Sequence, residues 1–520
     1  MVQICQLLLG SPLAIKLAAH WLRSLSPEEV ARELQTSLNF LTVGQPDVPL
    51  RHRSLQAVFD SSWVLLSVEQ QRVLAQLSLL PCGFTLQSAM QIAKTNPTML
   101  MVLVSKSLIT RNQTRFVMHE AIRQYAVQKL EPSQKEDALL ELSKLAKDWA
   151  LAVYVNESTP KDFASVQNFE DEFENINLAL EWSLKYQPLL CAEIVYLPVF
   201  FWYASARKHT GIQWLTALLE LHTQPNTIRG NLLCTRCILK LGTHQPESGI
   251  SDGLEALGIA QAVGDSLLEA QGLVGCSVHY VSQGQLNLAL EGLLKALELS
   301  QLLGNNNVEA NALNFLGHVY LVRDEHELAI QTFQELIARA QVTGNKRGFA
   351  HAALNLAMVY HSLGNFAMQQ QLLEQAQGIY QEAKDLTNLC PTLLWLADAA
   401  LRTNNWTHAK SILLQASELC LKVQQPPFFT MWFFLSAKLM QKEELHEKAL
   451  RLYYVAARWM EESMLGEDPY FMQSATLFEV EKLAKFQLEA AQFSPKQAMQ
   501  YALQGLEVLG ASPKGGLFPR

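Results

Sequence analysis

Thirteen histidines and eight cysteines are the groups in this chain whose type suits ligation, proton transfer or nucleophilic attack. Cys234-Thr-Arg-Cys237 has the two-residue gap of metal and redox motifs. No second pair accompanies it, and its surroundings are apolar, so two packed thiols are the simpler reading. His119-Glu120 opens like a zinc-peptidase helix, but Arg123 stands where the second histidine must fall. No metal site is expected. No GxxxxGK[ST] occurs, and Lys106-Ser107 follows Leu103-Val104-Ser105 without a glycine loop. The chain therefore lacks a backbone cradle for phosphates, and no ATP hydrolysis, indeed no enzymatic activity, is expected of it. What remains is a set of scattered amide and imidazole groups without catalytic spacing, suited to holding a ligand rather than turning it over.

A forty-residue repeat positions that set. Gly264-Asp265, Gly304-Asn305, Gly344-Asn345 and Lys384-Asp385 recur at this interval, with Gly284-Gln285, Asp324-Glu325, Gly364-Asn365 and Asn404-Asn405 halfway between. Turn-prone pairs at both positions imply two helices per repeat. A small residue recurs at Ser277, Gly317, Ala357, Ala397 and Ala437, and another at Ala289, Ala329, Ala409 and Ala449, with Gln369 the exception. Small residues let paired helices approach closely. The pattern predicts an all-α chain dominated by a helical solenoid, which presents an extended surface to a partner.

Length and composition agree. A chain of 520 residues exceeds what one core usually supports, and its 49% hydrophobic content can bury several. No apolar run reaches membrane-spanning length, and Leu189–Ala204 is short and interrupted by Glu193 and Pro198. Met1–Leu9 has no cationic start, so no signal peptide is expected, and the scattered cysteines suit a reducing, cytoplasmic setting. The formal net charge is −8. Between Arg51 and Leu130 nine basic residues face three acids, which leaves −14 for the rest. A solenoid so acidic is a poor match for phosphates, so nucleic acid is an unlikely partner for it.

Five segments are expected: 1–50, partial and helical; 51–131, a winged helix; 132–224, a helical bridge; 225–464, the repeats; and 465–520, capping helices and tail. In the second, Ser67 with Gln70 three residues on caps a helix, Thr85 and Pro97 start two more, and Leu108–Thr110 with Arg115–Met118 form a hairpin. Winged helices often read DNA. Here the reading helix would be Pro97 to Ser107, whose Met99-Leu100-Met101-Val102-Leu103-Val104 offers little to base edges. Wing residues Arg111 and Arg115 could touch phosphates or simply be solvated.

The run Gly10-Ser11-Pro12-Leu13-Ala14, then Arg53-Ser54-Leu55 with Phe59 and Trp63, then Met118-His119-Glu120 with Arg123 and Tyr125, resembles the second half of the switch module in NB-ARC-type STAND signal-transduction NTPases of bacterial regulators. Glu174-Asn175-Ile176 through Glu181-Trp182 resembles the bridge that precedes their tetratricopeptide-like repeats. The resemblance implies that Pro12 packs on a nucleotide base and that His119 donates to an ADP β-phosphate, a sensible charge-assisted contact. Glu120 stands where that family usually has Asp. ADP or ATP is expected only together with a P-loop core supplied in cis or in trans, the chain being the C-terminal part of a larger switch. Aligning the small column with the small position of a tetratricopeptide repeat's first helix puts Asn311, Asn314, His318, Leu321, His351, Met358, His361 and Asp398 on the inner face. That mixture suits a peptide or protein effector, with ordinary solvated positions as the competing reading. The expected function is sensing through the repeats. The alternatives are a DNA-binding regulator and a repeat scaffold without a working switch.

Overall fold

The computed structural model describes residues 25–36, 55–156, 162–205, 207–241, 246–383, 385–423, 426–457 and 480–508. Pro12, Lys384 and most of segment 1–50 lie outside these. The described chain is helical apart from one small sheet, and it divides into two units. The first comprises residues 1–154, 164–198 and 217–222; the second comprises 155–163, 199–216 and 223–520.

In the first unit the capping signals act as the sequence implies. Ser67 accepts from the Gln70 amide while the Gln70 side chain returns to the Ser67 amide, starting helix Val68–Leu77. Ser26 and Glu29 make the same reciprocal pair. Thr85 caps Leu86–Ile92, and Asn96 with Pro97 at the first position starts Pro97–Ser105. A capping side chain satisfies amides that the helix itself leaves unpaired. The hairpin is shorter than the sequence suggests: β2 is Thr110–Asn112 and β3 is Arg115–Val117. Leu108 and Ile109 precede the pairing, and Arg111 and Asn112, expected in the turn, pair instead. A further strand, β1, Phe84–Thr85, joins β3 on its other edge. Gly83 makes this possible. Its φ is +76°, and a side chain there would collide with the Phe116 carbonyl oxygen. Phe84 and Phe116 then stack with ring centroids 5.9 Å apart.

In the second unit the forty-residue period is structural. Helices Ser266–Ser282, Asn306–Val322, Lys346–Ser362, Leu386–Arg402 and Pro426–Lys442 alternate with Leu286–Leu303, His326–Thr343, Phe366–Ala383, Trp406–Val423 and His446–Ala457. The recurring Gly264, Gly304 and Gly344 all have positive φ, which ends a helix in the left-handed conformation. The residue after each starts the next helix, as Asp385 does one period further on: Asp265, Asn305, Asn345 and Asp385 all accept from the amide three residues on. At the half-period turns Asp324 and Asn404 adopt the left-handed backbone without glycine. Short polar side chains tolerate that conformation better than most. The small columns lie at helix–helix contacts; Ala289, Ala329, Ala409 and Ala449 are fully buried. A continuous apolar core runs from Leu313 to Leu506, with a smaller one over Ala270–Val319. Among the described residues, no helix is long and apolar enough to cross a membrane.

Candidate functional site

The first helix of each repeat carries the expected inner-face residues, and the structure divides them into two groups. The N-terminal group is uncharged. Asn355 donates to the Asn314 side-chain oxygen at 2.7 Å, tying helix Asn306–Val322 to Lys346–Ser362. Asn311 is exposed and Leu321 and Met358 are half-buried. His318 stands edge-on to Phe333, centroids 5.6 Å apart, and burial lowers its pKa to about 4. His351 stands edge-on to Tyr380 and is likewise lowered to about 4, first by burial and then by Arg347. Desolvation disfavours the charged form, so both imidazoles are neutral at pH 7.

The C-terminal group is charged. Asp398 is buried and accepts from Arg402 at 2.9 Å, with His361 Nδ1 3.3 Å from the same oxygen. His361 is shifted down, chiefly by burial and against the pull of Asp398. Its ring meets Trp395 and Phe366 at centroid distances of 5.0 and 6.0 Å. Asp398 is therefore buried and engaged by its neighbours. Asn355, Trp395, Arg402, Lys438 and Lys442 escaped the sequence reading. Extending the Asp398 column by forty residues reaches Lys438, and the signal was present there.

In the first unit, His119 is the N-cap of Glu120–Gln128, its Nδ1 accepting from the Ala121 amide at 3.2 Å. Glu120 is engaged by Arg123 and Gln124. Tyr125 donates to Asp60 at 2.6 Å and packs against Phe59 and Trp63, so the aromatic members of the motif share one cluster. Arg115 is neither solvated nor offered to phosphates. It binds the fully buried Glu172 carboxylate at 2.5 Å and donates to the carbonyls of Cys82 and Gly83. Asn175 donates to the same carboxylate and to the Gly83 carbonyl. Asn175 of the Glu174-Asn175-Ile176 motif thus ties the Arg115–Glu172 pair to Gly83. Arg72, Arg123 and Lys129 are also engaged internally, on Ala93, Glu120 and Asp60. Helix Pro97–Ser105 buries Leu100 and Leu103 and exposes Met101.

Cys234, Cys237 and Cys276 are buried thiols, with Gly253 and Gly275 packed against the sulfurs of Cys276 and Cys237. Burial raises Cys276 to about 11. Among the described residues no group of three or more His, Cys, Asp or Glu side chains could hold a metal ion.

Comparison with known proteins agrees with this picture in part. A tetratricopeptide-repeat family model matches residues 350–382, helix Lys346–Ser362 with most of Phe366–Ala383. A Mycobacterium tuberculosis protein whose name proposes an HTH-type transcriptional regulator is 28% identical over 304 residues, which is 54% of this chain and 34% of that protein. The chain thus spans about a third of the length of the curated relatives it matches. Among solved structures it is similar to a Pyrococcus horikoshii STAND protein with a tetratricopeptide repeat sensor, at 16% identity and a TM-score of 0.44, covering 90% of this chain and 73% of that one. It is also similar to a Rap protein complexed with competence and sporulation factor, at 12% identity and a TM-score of 0.45, covering 68% and 99%.

Proposed function

We propose that this chain is the sensing arm of a nucleotide-dependent signalling switch, its repeats holding a peptide or protein effector on the inner face. The observation that carries this reading is the amide and imidazole set on successive first helices. Asn311, Asn314, His318 and His351 are neutral polar groups on successive first helices, Asn311 and His351 one period apart, beside the half-buried Leu321 and Met358. An extended peptide needs donors and acceptors for its backbone and apolar surface for its side chains, and this face supplies both. The repeat-family match and the regulator-named relative support the same reading. The motif resemblance around His119 supports attachment to a P-loop core and a winged-helix assignment for residues 51–131.

Selection from a displayed random peptide library on the immobilised chain tests the reading. Selected peptides should lose at least about tenfold in affinity, roughly 1.4 kcal/mol, in Asn314→Leu/Asn355→Leu. They should be unaffected by Leu302→Ala/Val342→Ala, at exposed positions of the second helices. Unchanged affinity in the first variant would refute inner-face binding. The DNA-binding alternative gains nothing from the first unit, where Arg115 is committed to Glu172 and the expected reading helix exposes methionine.

A further inference from the structure

Gln369 breaks the small column that the other repeats keep. Its equivalents are Ala289, Ala329, Ala409 and Ala449, and like them it is fully buried. A buried amide costs free energy unless its donor and its acceptor are both matched, and an apolar side chain would fill the same space without that cost. Both ends of this amide are matched. Its nitrogen donates to the Trp395 carbonyl at 3.5 Å, and its oxygen lies 3.4 Å from Nδ1 of His361. A main-chain carbonyl can only accept, so the amide nitrogen must face Trp395 and the oxygen must face the imidazole. Asp398 brings a second acceptor to the same atom, its Oδ2 standing 3.3 Å from His361 Nδ1. Two oxygens converging on one ring nitrogen call for a proton there. Burial lowers the pKa of His361, so the ring is neutral at pH 7, and a neutral imidazole carries a single N–H. The proton therefore sits on Nδ1, and Nε2 is left as an acceptor.

That acceptor belongs to the expected inner face. The ring stands edge-on to Trp395 and Phe366, and the side chain keeps 22% of its surface exposed. His361 is the one imidazole in a column that otherwise reads Val281, Leu321, Leu401 and Gln441. An extended peptide carries a main-chain N–H at nearly every residue, and each one that is buried needs an acceptor. We infer that His361 Nε2 is a fixed hydrogen-bond acceptor for a main-chain N–H of the bound peptide, and that Gln369 is the positioning residue that sets this tautomer. The inference rests on the peptide-binding reading above and adds a contact that fixes the peptide's register.

The tautomer is read in the full chain by nitrogen-15 labelling of its histidines, since two-bond proton–nitrogen correlations separate the two neutral forms. The His361 signal is the one lost in His361→Phe, and it should be the Nδ1–H form. Gln369→Met, which keeps the volume, and Gln369→Ala, the residue of the other repeats, should let the Nε2–H form appear. Unchanged signals from the remaining histidines show that the fold is intact. The binding probe is a peptide selected on the immobilised chain, with a series in which each main-chain amide in turn becomes an ester and so loses its N–H. One ester should weaken binding to the unmodified chain roughly tenfold. The same ester should cost His361→Phe almost nothing. An Nε2–H form in the unmodified chain would overturn the assignment whether or not a peptide binds. Persistence of the Nδ1–H form in both Gln369 variants would overturn the role of Gln369. If every ester costs His361→Phe as much as it costs the unmodified chain, the peptide does not use this acceptor, although peptide binding itself would stand. Selection of no peptide would remove the reading above and, with it, this contact.

Discussion

Gly317 is where the repeat's packing rule can be tested by a single methyl group. It occupies the small column held by alanine at 357, 397 and 437, and it lies against the Phe333 ring. A β-carbon there would come within 2.6 and 2.8 Å of two edge carbons of the Phe333 ring, which is fully buried and cannot swing aside. One repeat on, the equivalent pair is Ala357 with Leu373. Replacing glycine by alanine inside a helix contributes about 1 kcal/mol. Overpacking a closed core costs about 1–3 kcal/mol, and the rigidity of this ring places the cost in the upper half. Gly317→Ala should therefore destabilise by about 1–2 kcal/mol net. Phe333→Leu alone should cost roughly 1–2 kcal/mol through lost apolar contact. The double variant recreates the neighbouring repeat's pair, removes the collision and keeps the helix gain. The coupling energy of the cycle should therefore be about 2 kcal/mol in favour of the double. Urea unfolding of the four proteins, followed by circular dichroism, measures it. Additivity within about 0.5 kcal/mol would show that the pair is not matched and that the small columns do not govern helix approach.

Four further outcomes follow from the same structure. Arg115→Ala leaves the buried Glu172 carboxylate uncompensated and should destabilise the first unit by about 3–5 kcal/mol, whereas Arg115→Met/Glu172→Gln should recover much of that; equal losses in the two would contradict a buried pair. His318 is held near pKa 4 when folded against about 6.5 unfolded, so the unfolded chain binds the extra proton and stability falls as pH drops from about 6.5 to 4, by at most about 1.4 kcal/mol per pH unit from this group; His318→Gln should make the fall of urea midpoints across that window shallower, His351 still contributing to it, and parallel pH profiles would refute the assignment. Deleting residues 385–424 removes one whole period and should leave a shorter folded array, while deleting twenty residues should not, and indistinguishable unfolding cooperativity would show that the period is not structural. Calorimetry should detect no tight ADP binding by the chain alone; paired with a matching P-loop core it should bind, and His119→Ala should weaken that binding about tenfold to a hundredfold, the worth of one charge-assisted hydrogen bond, beyond any loss of helix capping, with unchanged affinity restricting His119 to its N-cap role.

The fold was legible wherever a local rule repeats. Gly304-Asn305 reads as a turn because a left-handed glycine followed by a capping asparagine is a local requirement, and the chain states it every forty residues. Ser67 with Gln70, and Asn96 with Pro97, were legible for the same reason. Non-local matches were not. The two-residue strand Phe84–Thr85 has no pattern of its own, being created by pairing with β3 thirty residues away and by Gly83. Arg115 looked like a wing cation because its partner, Glu172, lies 57 residues further on in a segment with no obvious reason to meet it. On the first helices, periodicity gave no sign that Asp398 is sequestered by Arg402, since burial depends on how successive repeats stack. Lys438 lies one period beyond Asp398, and extending that column reaches it.

The central claim is that the first helices of the repeats form the effector surface, and amide hydrogen exchange with and without a selected peptide tests it most directly. Protection should concentrate in Asn306–Val322, Lys346–Ser362 and Leu386–Arg402, at residues such as Asn314, Asn355 and His361, and should disappear in Asn314→Leu/Asn355→Leu. Protection confined to the second helices, His326–Thr343 and Phe366–Ala383, or to residues 55–130, would contradict the account.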